Sequence, residues 1–274
     1  MLRYRSRIRC DGPNARRGGS GGGSGIFSPS SLFASSELGV WLDPSDTSTL
    51  FQDAAGTVPV TSVGQSVLRI NDKSGSGNHA TQTTAGQAPT YQIDSNGKSC
   101  LSYDGATGWF VTPTITPGID KVQVFAGVRK LSDVNIGIVC EFSPNTGTNT
   151  GAFRLAAPHN VATANYGFQP KGTSVATVTA TTYASPITSV LAGLADIAAP
   201  SSTIRVNGGG IVTSSTSQGT GNFLAYPLYI GSRGGTSLFL NGNLYGLIVR
   251  FGANLTADQI ASTENWVNAR TGAY

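Results

Sequence analysis

The glutamates come first in a search for chemistry, because paired carboxylates serve as general acid and base in many hydrolases. The chain has three, Glu37, Glu141 and Glu264, and none stands in a motif with a second carboxylate. Ser20 in Gly18–Gly22 has the spacing of a nucleophile elbow, but a run of glycine and serine offers no strand-to-helix turn to hold it. We therefore expect a protein that is not an enzyme.

Metal binding is the second chemistry to consider. His79 and His159 lie far apart and lack metal-ligand spacing, so a place in a turn or in packing explains His79 more simply. Four aspartates in the early loops could supply the oxygen ligands that calcium prefers, or they could cap turns. These weak calcium candidates are Asp43, Asp46, Asp53 and Asp72. No other cofactor is indicated.

Aromatic side chains on or near loops are candidates for glycan contact, because a ring can cover the apolar side of a sugar while neighbouring polar groups donate and accept hydrogen bonds. Each of them could equally pack in the core of the protein. Trp41 and Trp266 are expected in the core. The candidates for glycan contact are Trp109, Tyr166, Phe168 and Tyr226.

Positive charge is concentrated at the N-terminus, where only Asp11 opposes six arginines, while the whole chain has a net charge of +4. Three interpretations are open: an arm that attaches to neighbouring subunits, a solvated basic tail, or a nucleic-acid contact. We favour the assembly arm and expect no nucleic-acid partner, because no nucleic-acid-binding motif accompanies the arginines. The six are Arg3, Arg5, Arg7, Arg9, Arg16 and Arg17.

The elements that must position these residues are strands. Charged residues make up 12% of the 274 residues, about half the ~25% of an ordinary domain. With 36 glycines and 13 prolines, this composition excludes a helical bundle. Short apolar runs at a spacing of ~8–12 residues predict an all-β sandwich or barrel. Among them, Lys121–Lys130 alternates as a strand should, and Val134–Phe142 is expected to be a buried run.

One helix is predicted near the C-terminus, over Ala257–Ala269. Thr256 and Gln259 have the spacing of a capping box, and Gly272 is a plausible end of the helix.

Composition divides the chain into a basic arm (1–17), a Gly/Ser-rich linker (18–36) and a sandwich domain (37–274). Ile26-Phe27 and Leu32-Phe33 interrupt the linker, and we expect them to dock on the domain or on a neighbour. No apolar run approaches the ~18 residues of a membrane span, and the N-terminus has no apolar region typical of a secretory signal, so neither is expected.

The three cysteines are Cys10, Cys100 and Cys140, an odd number without C-x-x-C spacing. Because a disulfide framework needs an even and denser set, we expect free thiols and assembly in a reducing cytoplasm.

Several motifs occur in the order found in concanavalin A-like, laminin-G-like sandwich domains, and the resemblance covers about residues 39–274. The opening of the domain also resembles laminin-G-like proteins encoded by tailed bacteriophages. The resemblance implies a concanavalin A-like jelly-roll β-sandwich and a virion structural protein. Glucanases of this fold carry E-x-D-x-x-E on one strand, and this chain has no such motif. The matching stretches are Trp41–Asp46, Phe51–Asp53, Asp72–Ala80, Gly97–Gly105, Leu228–Gly231, Phe239–Leu244 and Leu255–Ile260.

The function expected from these observations is that of a non-enzymatic phage tail-fibre or tail-tip component. Its sandwich would contact a host-surface glycan, and its N-terminal arm would attach it to other virion proteins. A capsid decoration or cement protein is the alternative, and a free carbohydrate-binding module is a further one. We expect a homo-oligomer, such as a trimer, located in the virion after assembly in the bacterial host cytoplasm.

Overall fold

The computed structural model describes residues 27–274, so the arm, Cys10 and residues 18–26 of the linker lie outside the described residues. This part of the chain is almost entirely β. Three short 3-10 helices are Pro29–Phe33, Thr47–Thr49 and Ala85–Gln87. The other elements are β1 Leu38–Leu42, β2 Leu50–Phe51, β3 Arg69–Ile70, β4 Ala80–Thr81, β5 Thr90–Ile93, β6 Ser99–Asp104, β7 Phe110–Val111, β8 Lys121–Lys130, β9 Ile138–Phe142, β10 Ala152–Ala156, β11 Asn165–Lys171, β12 Val178–Thr181, β13 Ile187–Asp196, β14 Ser201–Val206, β15 Gly210–Ser214, β16 Leu228–Ile230, β17 Asn241–Phe251 and α1 Ala257–Thr271.

The strands form two antiparallel sheets that pack face to face. The eight-stranded sheet has the order β15-β14-β13-β8-β17-β6-β5, and β1 pairs with the second half of β17. The nine-stranded sheet has the order β12-β11-β10-β9-β16-β7-β4-β3-β2. The fold is therefore a concanavalin A-like jelly-roll β-sandwich with one C-terminal helix, which confirms the predicted fold class.

The main core lies between the two sheets and follows from the period-two alternation of the strands. In β8, Val122, Val124, Ala126 and Val128 point into this core, whereas Phe125 packs on the opposite side of the sheet. Lys121–Lys130 is a strand with the bounds predicted from the sequence.

The run Val134–Phe142 differs from its prediction. Val134 is 66% exposed, and the buried strand begins only at Ile138. Asp133, directly before the run, pairs with Lys130 through its carboxylate and accepts a hydrogen bond from the backbone N–H of Ser185. The start of the apolar run is therefore a loop held by polar contacts, which hydrophobicity alone does not show.

The outer face of the eight-stranded sheet is covered by α1 and by the 3-10 helix Pro29–Phe33. We call it the helix-covered face. A second apolar cluster fills the space beneath them, and it consists of Leu32, Phe33, Trp41, Phe125, Val190, Ala192, Ile248 and Val267. The predicted docking of Leu32-Phe33 is thus confirmed, whereas the expectation that the flexible linker continues to residue 36 is wrong for Pro29–Phe33.

Helix α1 begins at Ala257 as predicted and ends at Thr271, two residues beyond the predicted Ala269. The Thr256 hydroxyl accepts a hydrogen bond from the backbone N–H of Gln259, and the Gln259 side chain accepts one from the backbone N–H of Thr256. Gly272 ends the helix with φ of 61°, a conformation that glycine adopts without strain. Within residues 27–274, no helix has both the length and the apolar character needed to cross a membrane.

Cys100 and Cys140 are free and buried, as predicted. Burial raises the pKa of Cys100 to about 12 and also raises that of Cys140, so both thiols are protonated and unreactive at neutral pH.

Candidate functional site

Two of the four aromatic candidates for glycan contact are core residues, and this part of the prediction is wrong. Tyr166 is fully buried, and its hydroxyl donates a hydrogen bond to Ser189 Oγ at 3.0 Å. Phe168 is also fully buried and packs against Gly193 of the facing sheet. Both side chains point inward because alternate positions of β11 face the core, so neither can reach a ligand in solvent.

The other two candidates reach the surface. Tyr226 is half-buried and packs edge-to-face on Phe142, 5.8 Å between ring centroids, so it bridges core and surface. Trp109 is half-buried and pairs with Tyr229, 6.0 Å between centroids and 34° between ring planes. At Gly235, φ is 74° and a Cβ would lie 2.7 Å from the Trp109 ring, so glycine is required for this loop to pass so close to the indole.

The four aspartates considered for calcium do not form a site. Asp43 binds Arg270 and Asp46 binds Lys73, so cationic side chains already occupy the positions next to these carboxylates. The remaining two, Asp53 and Asp72, accept backbone N–H groups of their own loops. Within residues 27–274, no three His, Cys, Asp or Glu side chains come close enough together to hold a metal ion. The alternative interpretation, that these residues stabilise turns, fits their contacts.

The aromatic pair lies on the outer face of the nine-stranded sheet, next to charged residues that share one row across it. Arg154 of β10 is directly opposite Glu141 of β9, and Glu141 is opposite Tyr229 of β16. Adjacent strands are about 4.8 Å apart, so this row extends from the arginine to the aromatic pair over two strand spacings. We call the surface formed by Trp109, Glu141, Arg154, Tyr229 and Arg233 the arginine face.

Glu141 is completely buried, and its partners fix the loop beside it. The carboxylate accepts hydrogen bonds from Arg233 Nε at 3.0 Å and from the Thr146 backbone N–H at 2.7 Å. The ammonium of Lys171 donates to the carbonyl oxygens of Thr146 and Gly147, at 3.1 and 2.9 Å. Glu141 therefore has its partners inside the protein, and Lys171 contacts carbonyl oxygens rather than a carboxylate.

Arg154 is different, because its guanidinium makes no hydrogen bond and no ion pair with any part of residues 27–274. Its Nε is buried without a partner. Burial and the nearby charge of Arg233 lower its pKa. An arginine on a sheet surface that is partly removed from water and makes no ion pair can bind an anion from outside.

His159 covers the same sheet beside this row, over Gly167, which lies opposite Ala156 rather than Arg154. Its ring lies over Gly167, where a Cβ would stand 2.3 Å from the ring, so only glycine at this position leaves room for it. The residue is 4% exposed, and Nδ1 is buried without a hydrogen-bond partner. Burial, with a smaller contribution from Arg154, lowers the pKa of His159 to about 4, so the ring is neutral at pH 7. His79, in contrast, accepts a hydrogen bond from the Asp72 backbone N–H and belongs to a turn, as expected.

The sequence did not lead us to Arg154, Glu141, Arg233 or Tyr229, although a signal for two of them was present. Arg154 stands between Phe153 and Leu155, and Glu141 ends the apolar run Ile138–Cys140. A single charge inside an otherwise apolar strand marks an outward position that is kept polar. The arginines predicted to form the assembly arm lie outside the described residues, and their role stays a prediction.

No protein-family model and no curated protein sequence matches the chain. Solved structures do. The binding domain of botulinum neurotoxin serotype D superposes with a TM-score of 0.56 at 8% identity, over 84% of this chain and 51% of that one. A structure of botulinum neurotoxin type C superposes with a TM-score of 0.55 at 10% identity, over 88% of this chain and 53% of that one. The binding domain of Paraclostridial Mosquitocidal Protein 1 superposes with a TM-score of 0.52 at 13% identity, over 72% of this chain and 49% of that one.

The match covers about half the length of each of these three structures. At these identities the comparisons establish a shared fold, the β-sandwich. Two of the three, those of botulinum neurotoxin serotype D and of Paraclostridial Mosquitocidal Protein 1, are binding domains.

Proposed function

We propose that the protein is a non-enzymatic sandwich domain that binds a glycan on the arginine face. The observation that carries this proposal is the pair Trp109–Tyr229, two half-exposed aromatic rings beside an arginine without a partner. Such rings offer an apolar surface to a sugar, and the adjacent guanidinium groups offer hydrogen-bond donors. Among the structures that share the fold, cell entry of botulinum neurotoxin type C depends on interaction with two ganglioside molecules, which supports the same class of ligand here.

Binding is favoured over catalysis because each glutamate is already paired with an arginine. Glu37 binds Arg250, Glu264 binds Arg205 and Glu141 binds Arg233. Glu264 lies on α1 over one sheet and Glu141 on the outer face of the other, so these two cannot act on one glycosidic bond as an acid and base pair.

The test is glycan-array binding by the full chain and by Trp109→Ala. Loss of an aromatic group at the centre of a binding surface commonly weakens binding by about 30-fold or more. The matched control is Trp266→Ala, which removes an equally half-buried indole from the helix-covered face, where the ring is stacked under Arg270 at 3.4 Å. A full chain that binds no glycan, or equal losses in both variants, would contradict the proposal.

We further propose that the domain belongs to a virion structural protein of a tailed phage, at the tail fibre or tail tip, and that the arginine-rich arm attaches it. The sequence resemblance and the separation of a basic arm from a nearly neutral domain support this. Gold-labelled antibody against residues 37–274 on purified particles is expected to mark the tail end. Label over the head would instead favour a capsid decoration protein. Particles that carry no label would favour a free carbohydrate-binding module.

Attachment by the arm has its own test. Deletion of residues 1–17 is expected to leave the domain folded but absent from particles, because the arm supplies the contact with other virion proteins. Particles that retain the truncated protein at full copy number would contradict the attachment role.

A further inference from the structure

The arginine face has more positive than negative charge. Arg154, Arg233 and Lys171 are cationic, and Glu141 is the carboxylate beside them. Glu141 lies directly opposite Arg154 on the neighbouring strand. Because Glu141 is already bound by Arg233 and Thr146, it does not neutralise Arg154 as well. A partly buried charge without a counter-charge is costly, so this surface favours the arrival of an anion.

The hydrogen-bond donors of the same surface are also incomplete. Arg233 uses Nε for Glu141, while its two terminal nitrogens make no hydrogen bond to residues 27–274. The guanidinium of Arg154 makes none at all with that part of the chain, and the indole Nε1 of Trp109 is buried without an acceptor. Several donors and no free carboxylate therefore meet on one sheet face, which matches an acceptor-rich ligand.

The loop that frames this surface is held in an unusual conformation. Ser143, which follows β9 directly, is completely buried and has φ of 135°, a region that serine rarely occupies. Glu141 and Lys171 hold the next residues of the loop through Thr146. Backbone strain that is maintained by surrounding contacts is frequent at binding sites, because it positions groups before the ligand arrives.

We propose that the glycan bound here is acidic, and that its carboxylate or sulfate group ion-pairs with Arg154 and Arg233 while a neighbouring sugar ring lies on Trp109 and Tyr229. This inference rests on the proposed function and names its ligand class. The planar guanidinium of an arginine can donate two parallel hydrogen bonds to such a group. The distance from Arg154 to Tyr229 along the row is two strand spacings, about 10 Å, so the acidic group and the stacked ring belong to different parts of one oligosaccharide.

The experiment is calorimetric titration of the full chain with matched saccharide pairs: sialyllactose against lactose, and trigalacturonic acid against its methyl ester. Each pair differs in the negative charge. We expect at least one acidic member to bind about 10- to 100-fold more tightly than its neutral counterpart, as for hydrogen bonds to a charged group, and to weaken with added salt.

Variants locate the effect. Arg154→Ala is expected to abolish the preference for the acidic member, and Arg154→Lys to restore only part of it, because lysine keeps the charge but loses the planar fork. Arg129→Ala is the matched control. It removes a half-buried arginine of β8 in the other sheet, whose side chain likewise makes no hydrogen bond within residues 27–274. The control should leave the preference unchanged.

The possible failures are distinguishable. Equal binding of the acidic and neutral members would overturn the acidic ligand but leave a glycan-binding domain. A preference that survives Arg154→Ala, or that Arg129→Ala removes equally, would overturn the location. Tight binding of free sulfate or acetate, with no gain from the saccharide, would replace the glycan by a simple anion. A full chain that binds none of these saccharides, and nothing on a broad array, would overturn the proposed function together with this inference.

Discussion

The two outer faces of the sandwich differ in what covers them and in how their charges are paired. On the helix-covered face, α1 and Pro29–Phe33 enclose an apolar cluster that includes Phe125. Arg250 beside this cluster donates hydrogen bonds to Leu32 O, Gln123 Oε1, Ala253 O and Glu37 Oε1. On the arginine face, Arg154 has no partner within residues 27–274.

The difference shows that an arginine can serve opposite purposes on two sheets of one domain. Arg250 stabilises the folded domain, because its N–H groups donate hydrogen bonds to carbonyl and carboxylate groups that would otherwise be buried without partners. Arg154 leaves its donors available and is poorly solvated, which costs stability and gains nothing unless a ligand is bound. Variants on the two faces test this contrast.

Phe125→Ala should cause the largest loss of stability, because it opens a cavity beneath α1. The expected cost is about 3–5 kcal/mol in the free energy of unfolding. Tyr229→Ala, on the arginine face, should cost about 1 kcal/mol, since its ring is half-exposed. Urea denaturation measures both. Equal losses would mean that the arginine face is as much a part of the folding core as the helix-covered face.

Arg250→Met and Arg154→Met form the second contrast. Loss of Arg250 leaves Glu37 and the Leu32 carbonyl without their partner and should cost about 3–5 kcal/mol. Loss of Arg154 removes an unpaired charge, so the free energy of unfolding should stay within about 0.5 kcal/mol of the original or increase. A cost above about 2 kcal/mol for Arg154→Met would show that this arginine is structural, which contradicts its role as a ligand-binding group.

The pH dependence of stability should show the burial of His159. Its folded-state pKa of about 4 is below the ordinary value of 6.5, so the unfolded state takes up a proton first as the pH falls. The contribution of His159 to stability is therefore complete above about pH 6.5 and decreases as the pH falls through 4, by at most about 3 kcal/mol. His159→Gln should remove most of this decrease. His79, whose pKa is lowered by burial, accounts for a remainder. An unchanged slope in the variant would be inconsistent with a buried neutral ring.

Thr256→Ala should cost about 1 kcal/mol in the free energy of unfolding, because it removes one capping hydrogen bond from α1. Thr256→Ser keeps the hydroxyl and should behave like the original protein. A helix-covered face that tolerates loss of the cap without measurable change would indicate that the apolar cluster of Phe125 and the helix residue Val267 holds α1 without the cap.

Sequence patterns predicted the elements whose signals are local. The strand Lys121–Lys130 was predicted within its bounds, and the capping box placed the start of α1, because alternation and capping depend on residues only a few positions apart. Val134 was misjudged, since its exposure depends on Asp133 contacting Lys130 and Ser185. Tyr166 and Phe168 were misjudged for a similar reason: proximity to a loop does not say which side of a strand faces the opposite sheet.

The arginine face itself could not be derived from the sequence. Trp109, Glu141, Arg154, Tyr229 and Arg233 are spread over 125 positions, and they meet because β7, β16, β9 and β10 are neighbours in the sheet. Strand order follows from long-range pairing, which no local pattern encodes.

The amino-acid sequence by itself determined the class of fold, the single capped helix, the buried thiols and the concentration of arginine at the N-terminus, because each depends on composition or on short spacing. The tertiary structure alone decided which sheet face α1 covers and which arginine is left without a partner. The physical reason is that pairing and burial depend on distances in space. Arg250 meets Glu37 from 213 positions away, whereas Arg154 finds its nearest carboxylate, Glu141, already bound by another arginine.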